Sequence, residues 1–207
     1  NNIRNIEENI ILYWRYERMD PRKLIEIMSV AEKLKNNTRH SWTSTNRQES
    51  VAEHSWRVSL MAYFMKDEFP EVDINKVILM SICHDLGEAI TGDIPSFKKN
   101  DKDRIIENKA VNQLINSLPE PYKEELSGMF LEMEEQKTLE SRIYKALDKM
   151  EVIIQHNEAD LSTWIPLEYE LNLVHGEKEV QFSEYMKKLR QVIYEDTICK
   201  IAMVDEV

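Results

Sequence analysis

Ser50-Val51-Ala52-Glu53-His54-Ser55-Trp56-Arg57-Val58-Ser59-Leu60-Met61-Ala62-Tyr63-Phe64-Met65-Lys66-Asp67-Glu68-Phe69-Pro70 is the stretch that decides the fold. Ser50 and Glu53 form an S-x-x-E pattern, in which the hydroxyl accepts from a first-turn N–H and the carboxylate reaches back to the N–H of the cap. Behind that start, Val51, Val58, Met61, Ala62 and Met65 recur at helical spacing and predict a helix that buries them. It should run to about Glu68 and stop before Pro70, which disfavours helical geometry at Phe69.

The same period extends outward in both directions. Between Pro21 and Asn36, residues Leu24, Ile27, Met28, Ala31 and Leu34 share one stripe, and Pro21 suits a first helical position, where its missing N–H costs nothing. Asp73 is expected to cap a helix carrying Ile74, Val77, Ile78, Ser81 and Ile82 into Cys83-His84-Asp85-Leu86-Gly87-Glu88, a region closed by Pro95. Further helices are read at about 101–118, 120–135, 139–159 and 180–205, and Ile3 to Ile10 as part of an amphipathic packing helix. No sustained two-residue alternation bounded by turn signals occurs. The expectation is an all-α chain forming one domain over 1–207, with no linker long enough to divide it.

Composition narrows the function classes. The 207 residues include 27 basic and 38 acidic side chains, a net charge of −11. This balance repels phosphate backbones and anionic lipid, so neither a nucleic-acid polymer nor a membrane surface is expected as partner. The longest apolar runs, such as Val77-Ile78-Leu79-Met80, are far below the roughly 20 residues that span a bilayer. With only four glycines, the chain has no P-loop and no dinucleotide fingerprint. Cys83 and Cys199 cannot make a disulfide framework, and Asn1-Asn2-Ile3-Arg4 lacks the apolar core of a signal peptide. A reducing cytoplasm is the expected compartment.

Chemistry concentrates in His84-Asp85-Leu86-Gly87-Glu88-Ala89-Ile90-Thr91-Gly92-Asp93-Ile94-Pro95, directly after an apolar run. Burying these polar groups unpaired would be costly, and a divalent cation offsets that cost, since imidazole and carboxylate together suit first-row metals. Adjacent His84 and Asp85 point about 100° apart on a helix, so both can reach one ion off its end. Gly87 and Gly92 flank Glu88 where the backbone must turn for carboxylates to converge. Of the five histidines, His54 is the best placed further ligand, on the side of Val51, Val58 and Met61; taken alone, it reads equally as a core histidine with its hydrogen bonds satisfied. Asp148 lies mid-helix with no cap to make, about 100° off the stripe Ile143, Leu147, Met150 and Ile154, and periodicity alone favours a solvent-facing aspartate.

His54, His84-Asp85 and Asp148 reproduce the H…HD…D order of the HD-domain metallohydrolases. Arg47-Gln48-Glu49-Ser50-Val51-Ala52-Glu53-His54, His84-Asp85-x-x-Glu88-x-x-Thr91-Gly92-Asp93-Ile94-Pro95 and Ala146-Leu147-Asp148-Lys149 resemble its 5′-deoxynucleotidase branch, over about Leu34 to Glu158. The resemblance implies an all-helical fold with its metal-site core at about 34–158 and packing helices at both ends. It implies one divalent cation (Mn²⁺, Co²⁺, Fe²⁺ or Zn²⁺) held by His54, His84, Asp85 and Asp148, with Asp85 also catalytic. A 5′-nucleotide is the implied substrate, hydrolysed to nucleoside and phosphate by a water whose pKa the metal lowers.

Glu88, i+4 from His84 if the helix continues, is the implied general acid or base. Asp93 is implied to read the sugar hydroxyl, although a turn aspartate fits the same sequence. Arg39 is the family-matched phosphate partner. Arg47 is either a second one or a brace for Glu49 or Glu53, while Lys98 and Lys99 add attraction or are solvated. The bacterial enzyme of this branch carries a tryptophan directly after the phosphate arginine, where this chain has His40; Trp42 either takes that place or packs. A homodimer is implied as well. The competing readings are an HD-type phosphodiesterase, a nucleoside triphosphohydrolase, and a non-catalytic helical module that binds metal or nucleotide.

Overall fold

A computed structural model describes residues 18–95 and 97–203. The expected packing helix at Ile3 to Ile10 lies outside the described residues. The chain runs through α1 (Pro21–Ala31), a 3₁₀ turn (Glu32–Lys35), strands β1 (Thr38–Trp42) and β2 (Gln48–Ser50), α2 (Val51–Tyr63), α3 (Ile74–Cys83) and the short α4 (Glu88–Thr91). It continues with α5 (Asp101–Asn116), α6 (Tyr122–Glu135), α7 (Leu139–Glu158), a second 3₁₀ turn (Leu161–Thr163), α8 (Pro166–Val174) and α9 (Glu184–Ala202). The fold is all-α apart from the β1–β2 hairpin.

Helix α7 is the axis of the core. Its Ile143, Ala146, Leu147, Met150 and Ile153 are fully buried, and α2, α3 and α9 close around them through Val58, Val77, Met80 and Met186. Each of these side chains larger than alanine contributes roughly 1.5–3 kcal/mol relative to exposure. The predicted capping box forms at α2: the Glu53 N–H donates to Ser50 Oγ at 3.2 Å, and the Ser50 N–H to Glu53 Oε2 at 2.8 Å. It seats the first turn so that His54 enters the core beside Val51 and Val58. The regular helix ends at Tyr63 and the chain reaches Glu68 through turns, about one turn short of the expectation.

Three local features depart from the sequence expectation. The β1–β2 hairpin turns at Asn46, whose φ of 58° is left-handed, and its strands Thr38-Arg39-His40-Ser41-Trp42 and Gln48-Glu49-Ser50 carry mainly polar side chains. Arg39, His40 and Ser41 of β1 line a cavity instead of burying apolar surface, so the usual alternation is missing. Helix α8, in a stretch left unassigned between 159 and 180, begins with Pro166 at its first position and buries the polar Glu168 and Asn172. The helix expected to run from α3 through Glu88 is interrupted: bonds from Leu86 N to Cys83 O (3.0 Å) and Glu88 N to Asp85 O (2.9 Å) tighten it at His84–Gly87.

Gly87 lets α4 sit against α5. A Cβ there would meet Val111 Cγ2 at 2.8 Å, Glu107 Cγ at 2.9 Å and the Glu107 carbonyl oxygen at 3.2 Å. Gly87→Ala is therefore expected to destabilise the protein by about 1–3 kcal/mol, read as a lowered midpoint in urea with an unchanged slope.

Candidate metal centre and cavity

Three segments bring the predicted ligands together: the first turn of α2 (His54), the residues directly after α3 (His84, Asp85) and the middle of α7 (Asp148). His84 Nε2 lies 3.0 Å from Asp85 Oδ2 and 3.7 Å from Asp148 Oδ1, and His54 Nε2 lies 3.2 Å from Asp148 Oδ1. Donor atoms each about 2.1 Å from one ion stand roughly 3–3.5 Å apart at octahedral or tetrahedral angles. The spacing fits a single cation. Asp148 is buried, not solvent-facing as periodicity favoured.

The hydrogen bonds on the far side of each ring fix what the near side offers. His84 Nδ1 lies 2.8 Å from the Ser81 carbonyl, which can only accept, so Nδ1 carries a proton and the ring turns Nε2 toward two carboxylates. That Nε2 is buried without a hydrogen-bond partner. His54 repeats the arrangement: its Nδ1 lies 2.5 Å from Glu151 Oε2, and its Nε2 faces Asp148. A cation placed among these nitrogen and oxygen atoms is attracted by all of them. Burial and Arg39 both lower the His54 pKa, yet Asp148 and Glu151 outweigh them and hold it up at about 9. The proton held there occupies the position a metal would take, so the two compete.

Around this centre the charges are arranged in pairs. Arg39 reaches Asp85 Oδ2 at 3.4 Å and Glu49 Oε2 at 3.5 Å. Lys145 Nζ lies 2.8 Å from Asp148 Oδ2. Burial alone would raise Asp85 and Asp148, but His84 and Arg39 for the first, and Lys145 and His54 for the second, hold both below the ordinary carboxylate range. Glu88 behaves oppositely: burial, with Asp85 and Asp93 nearby, pushes it up to about 9. Its Oε1 lies 3.7 Å from Lys99 Nζ, and its Oε2 is buried without a hydrogen-bond partner.

A cavity of about 930 Å³ opens beside the centre, lined by His84, Asp85, Asp148, Arg39, Glu88 and Asp93, and also by His40, Lys99, Lys145 and Lys149. Two expected substrate residues are corrected by their positions. Arg47 lies outside the cavity lining and forks onto Glu53 at 2.7 and 3.0 Å, the bracing alternative. Trp42 is likewise outside the lining; its carbonyl accepts from Gln155 Nε2 at 2.6 Å, and His40 faces the cavity instead.

Sequence reasoning missed Glu151, Lys145 and Lys149. Glu151 is fully buried, and Arg57 Nε stands 3.3 Å from its Oε1. The available signal was a glutamate between Met150 and Val152, inside the most apolar stretch of α7. Removing it frees the His54 ring to turn. Glu151→Gln is expected to weaken Mn²⁺ or Co²⁺ binding about 10–100-fold, measured by competition with a fluorescent chelator, with Asp148→Ala losing binding altogether.

The chain resembles known proteins in sequence and in fold. Residues 31–190 match the HD domain family. The human protein 5′-deoxynucleotidase HDDC2 is 32% identical over 142 residues, covering 66% of this chain and 68% of that protein. Its Bos taurus counterpart is 34% identical over 142 residues with the same coverage, 66% and 68%. Among solved structures, a predicted metal-dependent phosphohydrolase from Magnetospirillum magnetotacticum MS-1 superposes with a TM-score of 0.69 over 88% of this chain and 97% of that one; at 23% identity this is a likeness of fold. The match across 31–190 and the relatives above 30% identity, together with the convergent histidine and aspartate side chains, make this chain a member of the HD-domain family.

Proposed function

We propose that this protein is a divalent-metal-dependent 5′-nucleotidase that hydrolyses (deoxy)nucleoside 5′-monophosphates to nucleoside and phosphate. The observation that carries the reading is the convergence of His54, His84, Asp85 and Asp148 donors at 3.0–3.7 Å, beside a cavity of about 930 Å³ lined by cationic groups and a buried glutamate. Those four side chains would hold the metal. When bound, it supplies Lewis-acid polarisation of a phosphoryl oxygen and lowers the pKa of a water. Two imidazoles and two carboxylates without a thiolate suit Mn²⁺, Co²⁺, Fe²⁺ or Zn²⁺.

The remaining roles follow from side-chain chemistry. The Arg39 guanidinium offers a phosphate dianion charge-assisted N–H donors, and Lys145 and Lys149 add positive charge from α7. Glu88, protonated at neutral pH through burial and its carboxylate neighbours, donates its proton to the leaving 5′ oxygen. Asp93 accepts from a sugar hydroxyl. The relatives named 5′-deoxynucleotidase support a nucleotide over other phosphomonoesters.

No helix among the described residues is long and apolar enough to cross a membrane, and cytoplasmic location belongs to this proposal. So does the homodimer, for which α2 and α3 offer exposed Trp56, Leu60, Phe64 and Ile82. Trp56→Glu is expected to shift the mass seen by light scattering from dimer to monomer; an unchanged mass removes this face from the interface.

Protein loaded with Mn²⁺, Co²⁺ or Zn²⁺ is expected to release phosphate from 5′-mononucleotides, and release with none of the three would favour the non-catalytic module. Asp85→Ala should lose both metal and activity. Glu88→Gln should keep the metal while kcat falls about 10²–10⁴-fold; an unchanged kcat would remove Glu88 from proton transfer. Because the acid form of Glu88 is the active one, kcat should decline as pH rises through its pKa. A bound dication draws that pKa down, so the limb lies at or below about 9 and should be absent in Glu88→Gln.

A further inference from the structure

Beyond the metal centre the cavity continues to a wall that the phosphate chemistry does not use. Glu168 and Asn172, four residues apart on one face of α8, are both buried and both line it. His156 of α7 stands against both: its Nδ1 is 3.0 Å from Asn172 Oδ1, and its Nε2 is 3.2 Å from Ser41 Oγ and 3.7 Å from Glu168 Oε1. An amide oxygen only accepts, so His156 Nδ1 is the donor toward Asn172.

This assignment leaves two groups over. Asn172 Nδ2 is a buried donor with no hydrogen-bond partner. Glu168 Oε2 accepts from the Ile165 N–H at 2.8 Å, while Oε1 has His40 Nε2 only at 3.4 Å, and that nitrogen is itself without a hydrogen-bond partner. His40 packs edge-on to Phe97, with ring centroids 5.8 Å apart and planes at 75°, and both line the cavity. The wall therefore offers one amide donor and one carboxylate acceptor next to aromatic surface. A flat heterocycle carrying an acceptor beside a donor matches all three, and a partner for Asn172 Nδ2 removes the cost of leaving that donor buried unpaired.

We propose that this wall is a nucleobase subsite that reads the lactam edge, the C=O next to N–H shared by guanine, thymine and uracil. The carbonyl accepts from Asn172 Nδ2 and the N–H donates to Glu168 Oε1. Adenine and cytosine present an amino donor and an unprotonated ring nitrogen instead, so donor meets donor and acceptor meets acceptor. The inference rests on the nucleotidase reading and adds a base preference to it.

The test compares kcat/KM of the metal-loaded enzyme for dGMP, dTMP, dAMP and dCMP. The first two should exceed the last two by at least about tenfold, the discrimination expected when buried polar groups are left unpaired. Deoxyguanosine should likewise inhibit competitively at concentrations about tenfold lower than deoxyadenosine, a readout of binding without turnover. In Glu168→Gln the new carbonyl retains the Ile165 N–H and turns an amide donor to the cavity, so every base meets one match and one clash and the preference for dGMP and dTMP should be lost; a preference that persists in this variant overturns the Glu168 contact. If that variant does not fold, the wild-type comparison decides alone. Equal kcat/KM for all four overturns the subsite and leaves the nucleotidase standing; no phosphate from any of them overturns the nucleotidase reading and the subsite with it.

Discussion

Two imidazole Nε2 atoms aimed at carboxylate oxygens in a buried space are the constraint on which the rest of this structure depends. The Ser81 carbonyl fixes the proton of His84 on Nδ1, and Glu151 does the same for His54. Both Nε2 atoms then face Asp85 or Asp148 at 3.0–3.2 Å. A cation among these atoms, proton or metal, is held firmly, because attraction at short range in a low-dielectric interior is strong. A proton satisfies one nitrogen at a time, whereas a divalent ion satisfies the whole set.

The fold serves that arrangement. Helix α7 supplies the central apolar stripe and, on an adjacent face, Asp148 and Glu151, so the rigidity of the core is passed directly to a ligand and to the group that orients another ligand. The Ser50–Glu53 capping box fixes where α2 begins and thereby the depth of His54. Tightening at the end of α3 releases Glu88 from the preceding helix, and Gly87 lets the short α4 that carries it lie against α5. In this acidic chain Arg39, Lys145 and Lys149 line the cavity and bring positive charge to where the proposed anionic substrate would sit.

Legibility in the sequence tracked the physical origin of each feature. Helix α2 was readable because its start and its apolar stripe are local, and the H…HD…D spacing was readable because family resemblance preserved it. Asp148 was not readable from periodicity: its burial is stabilised by Lys145, His54 and His84, two of which come from other helices. Glu151 escaped for the same reason, its partners His54 and Arg57 lying on α2. The β1–β2 hairpin and α8 bury polar residues toward the cavity, and a polar face carries no hydrophobic period to detect. Arg47 stood within a matching motif, yet its short-range pairing with Glu53 was the local interaction that prevailed.

The central claim is that one divalent cation, held by His54, His84, Asp85 and Asp148, is what makes the cavity hydrolytic toward 5′-mononucleotides. The most direct measurement is phosphate release from a 5′-deoxynucleotide by protein stripped with a chelator and titrated back with Mn²⁺. The account predicts no release from the stripped protein and a return of activity that saturates at one equivalent per chain. Undiminished release from the stripped protein, or saturation only at two equivalents, would contradict it.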